Sequence, residues 1–364
     1  MTARTRSSRQ APLMGLIILS VLLLTGCSGR LPDIASRAIA SAVAVAPGEE
    51  GLTVTAEYLE KVGADEVQRY GVAQATGKTF GDAVAAMERE MGHRLYLDSC
   101  PILLVGNLRH RDQLTQLLAQ LDSDRRVRPM TLVALTQGDP GELIAAQEKE
   151  ETSVGQELKE LLGSTHAARQ SLKDCLNLLR TPGRGLVLPL VAAQEQEYAI
   201  LGYTPLDGTG RSWDATAAAL IPLMGHDSAP LTVVGEEGET YDLLLEQKNS
   251  WVSCGLGEEG PAFVLRVSLH GNLIATSATG LPSQEVIRLA QAALERRGQE
   301  DYRFVVEEMV RQGQVDLLSF GKRFSLKYPV EWLKYEKNWE TYLQNLPCEI
   351  LTTAKIKDQR GVLS

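Results

Sequence analysis

Apolar positions along the chain follow two spacings in turn, a period near two that marks strands and a period near 3.6 that marks helices. Residues 42–46 and 52–59 read as strands on either side of the turn Pro47-Gly48-Glu49-Glu50-Gly51, so a hairpin is predicted. Thr79, with Asp82 three residues on, can cap a helix whose Ala83, Val84, Met87 and Met91 share a face. Residues 100–106 form a short apolar strand, and Leu114, Leu117, Leu118 and Leu121 make the stripe of a second helix. Residues 127–135 supply another strand before the polar turn Gly138-Asp139-Pro140-Gly141. Helical patterns then run over 141–179, and Thr181-Pro182-Gly183-Arg184-Gly185 is the strongest break in the chain.

Beyond that break, short strands at 199–202, 231–234, 241–245 and 263–269 are separated by glycine-rich turns. Residues 283–312 turn helical again, with Gly298 behind Arg296 and Arg297 where a helix would naturally end. A closing helix is predicted to place Trp332, Tyr335, Trp339 and Leu343 on one face, followed by Pro347 and an alternating strand over 348–357. The 364 residues exceed the usual size of about 100–200 per domain. The pattern therefore predicts an α+β or mixed α/β protein of about three domains, each a β-sheet with flanking helices. Their expected bounds are 27–185, 186–260 and 261–364, and 186–364 also reads as one C-terminal region. No internal repeat is visible.

The N-terminus follows neither pattern. Arg4, Arg6 and Arg9 precede the uncharged, leucine-rich stretch 11–25, which is the layout of a signal peptide. Its apolar core is shorter than the roughly 20 residues of a spanning helix, so a permanent transmembrane anchor is the weaker reading. Leu24-Thr25-Gly26-Cys27 then looks like a bacterial lipobox. Small residues admit the peptidase between Gly26 and Cys27, and the Cys27 thiol takes the lipid. The expected mature chain loses residues 1–26 and carries a diacylglycerol and an N-acyl chain on Cys27. Several acyl chains anchor firmly where one is marginal, because each buried methylene contributes roughly 0.8 kcal/mol.

Charge narrows the partners. The formal net charge of −9 becomes more negative once the leader arginines go, which argues against nucleic acid and against adhesion to anionic lipid by overall charge. Cys100, Cys175, Cys254 and Cys348 are scattered, and a chain this long folds without disulfides, so buried free thiols are expected. Gly255-Leu256-Gly257-Glu258-Glu259-Gly260 has the spacing of a dinucleotide loop, but its glutamates would repel a pyrophosphate and Pro261 opens a strand, so a solvent turn is favoured. Gly77-Lys78-Thr79 lacks the glycine that a phosphate loop needs, where Val72 stands instead. Ser319-Phe320-Gly321-Lys322 satisfies S-x-x-K without the S-D-N and K-T-G partners, which favours a loop over a nucleophile. His93, His110, His166, His226 and His270 stand apart, and no metal is implied. Trp332 and Trp339 at helical spacing read as core rather than as partner contacts.

The C-terminal residues carry a resemblance. Asp316-Leu317-Leu318-Ser319-Phe320-Gly321, then Tyr328-Pro329-Val330-Glu331-Trp332, Trp339 and a closing Gly361 resemble the motif series of the Ger(x)C family, the C-subunit lipoproteins of bacterial spore germinant receptors. Gly77-Lys78-Thr79-Phe80, residues 102–106 and Arg125 to Arg128 agree more loosely, so the likeness covers nearly the whole chain. Members commonly carry Trp-Asp after the lipidated cysteine, where this chain has Ser28-Gly29.

The resemblance implies a three-domain, non-catalytic protein without a cofactor beyond its lipid, held on the extracytoplasmic side of the cell membrane (the inner spore membrane in the spore). It also implies integral-membrane A- and B-type receptor subunits as partners. Cys27 carries over as a functional residue, and Asp316, Phe320, Gly321, Pro329, Trp332, Trp339 and Gly361 as structural ones. A solute-binding lipoprotein that delivers a nutrient to a transporter is the competing class, and an enzyme using Ser319 a third.

Overall fold

The computed structural model describes residues 37–48, 51–60, 69–106, 111–124, 126–146, 152–164, 170–194, 197–206, 212–214 and 229–358. The predicted hairpin is present as β1 (Arg37–Gly48) and β2 (Gly51–Glu60), and β3 (Arg69–Gly77) extends it. Next come α1 (Phe80–Met91), β4 (Arg94–Tyr96), β5 (Ile102–Val105), α2 (Arg111–Ser123) and β6 (Leu132–Thr136). Thr79 caps α1 by accepting from the Asp82 amide at 3.2 Å, and Gly92 closes it in the left-handed conformation. The polar turn read at 138–141 is a bend at Gly138, whose φ is 102, that passes at once into a helix, because the Asp139 carboxylate accepts from the Gly141 and Glu142 amides and Pro140 sits at the first helical position. That helix, α3 (Pro140–Ala145), is followed by α4 (Val154–Ser164) and α5 (Leu172–Arg180).

β7 (Val187–Gln194), β8 (Glu197–Pro205) and β9 (Trp213–Asp214) complete a nine-stranded sheet in the order β3-β2-β1-β5-β6-β7-β8-β9, with β4 also on β1. Its centre is parallel and apolar on both sides, as strands covered on both faces must be. Val43, Val45, Leu103, Val105 and Val133 face Phe80, Met87, Leu118 and Cys175. Ala42, Ala44, Ile102, Leu104 and Ala134 face Leu143, Val154 and Leu158. Buried Glu57 on β2 fixes α4 by accepting from the Val154 amide at 2.9 Å and the Ser153 hydroxyl at 2.8 Å. Sheet pairing thus runs past residue 185.

The second sheet has the order β10 (Ala229–Val234), β11 (Thr240–Gly257), β12 (Gly260–Thr276), β13 (Cys348–Asp358). Its first three strands are antiparallel, their long hairpin turning at Gly257 and Gly260, and β13 joins β12 in parallel. The glycines with dinucleotide-loop spacing are the tip of that hairpin. Helix α6 (Ser283–Phe304) covers one face and runs straight through Gly298 instead of ending there. A Cβ on residue 298 would come within 2.7 Å of Leu269 Cδ1 and 2.9 Å of Thr352 Cγ2, so the glycine permits close packing on the sheet.

α6 continues as a π-helix over Val305–Gln312, closed by the Gly313 amide on the Glu308 carbonyl at 3.0 Å. After α7 (Phe320–Lys327), the closing helix expected over 332–343 is broken into the end of α8 (Pro329–Trp332), a 3-10 turn at Glu336–Asn338 and α9 (Trp339–Leu343). Pro329 starts a new helix and bars Tyr328 from helical geometry, and i to i−3 bonds at Lys334, Tyr335 and Asn338 tighten the turns between α8 and α9. The chain is therefore a mixed α/β protein with two sheets flanked by helices.

Candidate functional site

The motif residues of the C-terminal part converge on a buried carboxyl. Asp316 lies in the loop between the π-helix and α7, 4% exposed. Its Oδ1 accepts from the Phe320 amide at 2.8 Å, and its Oδ2 from the Gly321 amide at 2.7 Å and from Trp339 Nε1 at 3.0 Å. The first two donors are orphan amides at the start of α7, which Ser319 cannot satisfy because its own backbone is left-handed at φ 60 and its side chain makes no cap. Asp316 caps that helix from three residues further back and clips Trp339 to it. Removal from water raises the Asp316 pKa to about 6, outweighing the amide and indole donors that favour the anion.

Around that carboxyl the side chains are aromatic. Phe263 meets Phe320 edge-on at 4.9 Å, Trp332 meets Trp339 edge-on at 5.0 Å, and Tyr342 stacks on Trp339 at 5.5 Å. Phe320, Trp332 and Trp339 are buried, whereas Pro329 is exposed at the start of α8.

The Thr-Pro-Gly-Arg-Gly segment, read from sequence as a break, docks against this motif. The Gly185 amide donates to the Asp316 carbonyl at 2.9 Å, the Lys322 amide to the Gly183 carbonyl at 3.1 Å, and Arg184 Nε to Ser319 Oγ at 3.0 Å. Gly183 and Gly321 sit back to back, and a Cβ on residue 321 would lie 2.5 Å from Gly183 Cα and 2.7 Å from Trp339 Nε1. Gly321 is thus needed for close approach, and Gly183 also for its φ of 65. The only local signal for this contact was the pair of glycines flanking Arg184. A cavity of about 370 Å³ opens beside it, between residues 179–185 and 336–343, with Asp316 and Trp339 in its wall.

The polar groups of this junction are spent on holding its segments together. Ser319 Oγ is paired with a guanidinium, which cannot serve as a general base. Cys100, Cys175, Cys254 and Cys348 are free thiols, and burial raises the pKa of the first two to about 12 and of the last to about 11. Among the described residues no three His, Cys, Asp or Glu side chains meet in a way that could hold a metal ion. Gly26, Cys27, Gly361, His110, His166 and His226 lie outside the described residues.

Comparison with known proteins gives the class and then the family. A family model described as "Spore germination protein N-terminal domain" matches residues 32–193, and one described as "Spore germination B3/ GerAC like, C-terminal" matches 221–359. These mark the chain as a spore germination protein built from two consecutive family domains. A crystal structure of the GerBC protein superposes with a TM-score of 0.54 at 11% identity, covering 86% of this chain and 96% of that one, so the two share a fold. The chain belongs to the Ger(x)C family, the C-subunit family of spore germinant receptors, which is not a family of known enzymes. No curated protein matches it.

Proposed function

We propose that this chain is exported, cut between Gly26 and Cys27, acylated on Cys27, and held on the extracytoplasmic side of the membrane as the non-catalytic subunit of a germinant receptor. There it packs beside the integral-membrane A- and B-type subunits and is needed for their assembly or signalling. The observation that carries this reading is the order of parts: a family match beginning at residue 32 comes directly after the lipobox-like Leu24-Thr25-Gly26-Cys27. Among the described residues no helix is long and apolar enough to cross a membrane. In this reading the lipid supplies the attachment.

The Asp316 junction suits a part that transmits force or position rather than one that turns over substrate. Its polar groups are satisfied from within the chain, and it ties residues 183–185, which lead into β7, to helix α7. Replacing Cys27 with Ala should move the protein from the membrane fraction to the soluble fraction and slow nutrient-triggered germination. Normal germination with a fully soluble variant would defeat the proposal, as would a native protein that carries no acyl mass on Cys27.

A further inference from the structure

The aromatic segment has a second side. Phe320, Phe324, Tyr328, Trp332 and Tyr335 form its inward stripe, buried or half-buried against the second sheet. Between these buried positions stand Leu326 on α7, Val330 on α8 and Leu333 directly after it, all turned to solvent. α7 ends with the Tyr328 amide on the Phe324 carbonyl at 2.8 Å and α8 begins with the Trp332 amide on the Tyr328 carbonyl at 2.9 Å, so the two short helices follow one another directly at Tyr328. Leu326, Val330 and Leu333 are 72%, 70% and 69% exposed, more than an isolated surface leucine calls for when three share one short stretch.

Charge selects what could cover them. The protein as a whole is acidic at −9, yet along residues 320–343 Lys322, Arg323, Lys327, Lys334 and Lys337 outnumber Glu331, Glu336 and Glu340. Lys327 is turned inward, its Nζ donating to the Cys254 carbonyl at 2.6 Å. Among the described residues no carboxylate lies within ion-pair distance of Arg323, Lys334 or Lys337, so their charges are available to a partner. An apolar ridge flanked by unpaired cations fits a phospholipid surface, where acyl chains take the leucines and phosphates take the ammonium and guanidinium groups. The rest of the acidic body is repelled by the same surface, which would leave this patch as the side that faces it.

We infer that Leu326, Val330 and Leu333, with Arg323, Lys334 and Lys337, form a patch that seats the body on an anionic phospholipid surface. The inference rests on the acyl anchor proposed above. Residues 28–36 span at most about 3.3–3.6 Å each, so the anchor holds Arg37 within on the order of 30 Å of the bilayer. The anchor thus keeps the protein at the bilayer, where its raised effective concentration favours contact by even a weak patch.

The test uses the full-length acylated protein on vesicles of phosphatidylcholine with or without phosphatidylglycerol. An environment-sensitive dye is attached through Val330→Cys or, as a control, through Lys159→Cys, both in a Cys348→Ser background. Flotation with the vesicles reports the anchor, and emission shift with quenching by brominated acyl chains reports the patch. The dye at 330 should shift to the blue and be quenched several-fold more strongly on anionic vesicles than on neutral ones or than the dye at 159. Arg323→Glu with Lys334→Glu should abolish that difference while flotation persists. A chain that floats with a water-like dye at 330 overturns the patch alone, as does a shift that appears only once other receptor subunits are added, which would assign the ridge to a protein partner. A chain that does not float overturns the anchor and the patch with it.

Discussion

A carboxyl at position 316 gives up its hydration for N–H donors from Phe320, Gly321 and Trp339, and the exchange leaves its pKa at about 6 against 3.8 unfolded. Between those values the folded chain keeps a proton that the unfolded chain has released. Stability therefore falls as pH rises from about 4 to 6 and levels off above, by about 3 kcal/mol at roughly 1.4 kcal/mol per pKa unit. Melting curves recorded across that range should show the decline, and Asp316→Asn should remove its part of it. The same variant turns an amide NH2 toward donors that need an acceptor and should lower stability at pH 7 by about 1–3 kcal/mol. An unchanged pH profile in the variant would mean that Asp316 does not titrate there. Asp316, Phe320, Gly321 and Trp339 stood out in the sequence only through the family resemblance. Their common purpose was not legible, because Arg184 and Ser319 meet across 135 positions, which no local spacing records.

At the scale of elements, the π-helix explains how one segment can serve two cores. Its wider turn lets Val305 and Met309 pack with Val187, Tyr203 and Trp213 from the first sheet, while Val306 and Val310 pack into the core under α6. Period-3.6 reasoning finds helix here but cannot foresee two apolar faces side by side. Gly298 shows the same limit, since Arg296 and Arg297 before a glycine look like a helix end until β12 and β13 are known to lie against it. The two readings predict opposite signs. An exposed helix glycine replaced by Ala would gain about 1 kcal/mol in helix propensity, whereas at a packed site the added methyl must displace Leu269 and Thr352 and overpacking costs about 1–3 kcal/mol. Urea unfolding of Gly298→Ala should therefore show a loss. β13 is protected by α6 as well: Gln291 and Glu295 accept from the Ile356 and Ala354 amides at 3.4 and 2.9 Å, and Gln299 donates to the Ile350 carbonyl at 2.9 Å. Side chains one turn apart thus occupy an edge that would otherwise pair with another chain.

At the scale of the molecule, several strand positions were legible in the chain, among them β1, β2, β5 and β13, but strand neighbours were not. The strand read at 199–202 falls within β8, but nothing in that pattern says that β8 pairs with β7, a strand at 187–194 that the pattern left unread, or that β7 in turn pairs with β6. Among the described residues, the two sheets are joined by the cluster around Val305 and Met309 and by the bonds between residues 183–185 and 316–322. If those bonds couple the halves, a lesion there should cost cooperativity more than it costs either half. Gly183→Ala is such a lesion, because its φ of 65 disfavours an L side chain by about 1–2 kcal/mol and the methyl would strike the backbone of Gly321. Calorimetry of the parent should give one transition, and the variant should split into two, with faster amide exchange at Gly185 and Lys322 than in the parent. A single transition lowered by the same small amount at every probe would instead show that the apolar cluster alone carries the coupling and that the glycine pair is a fit of surfaces without a share in it.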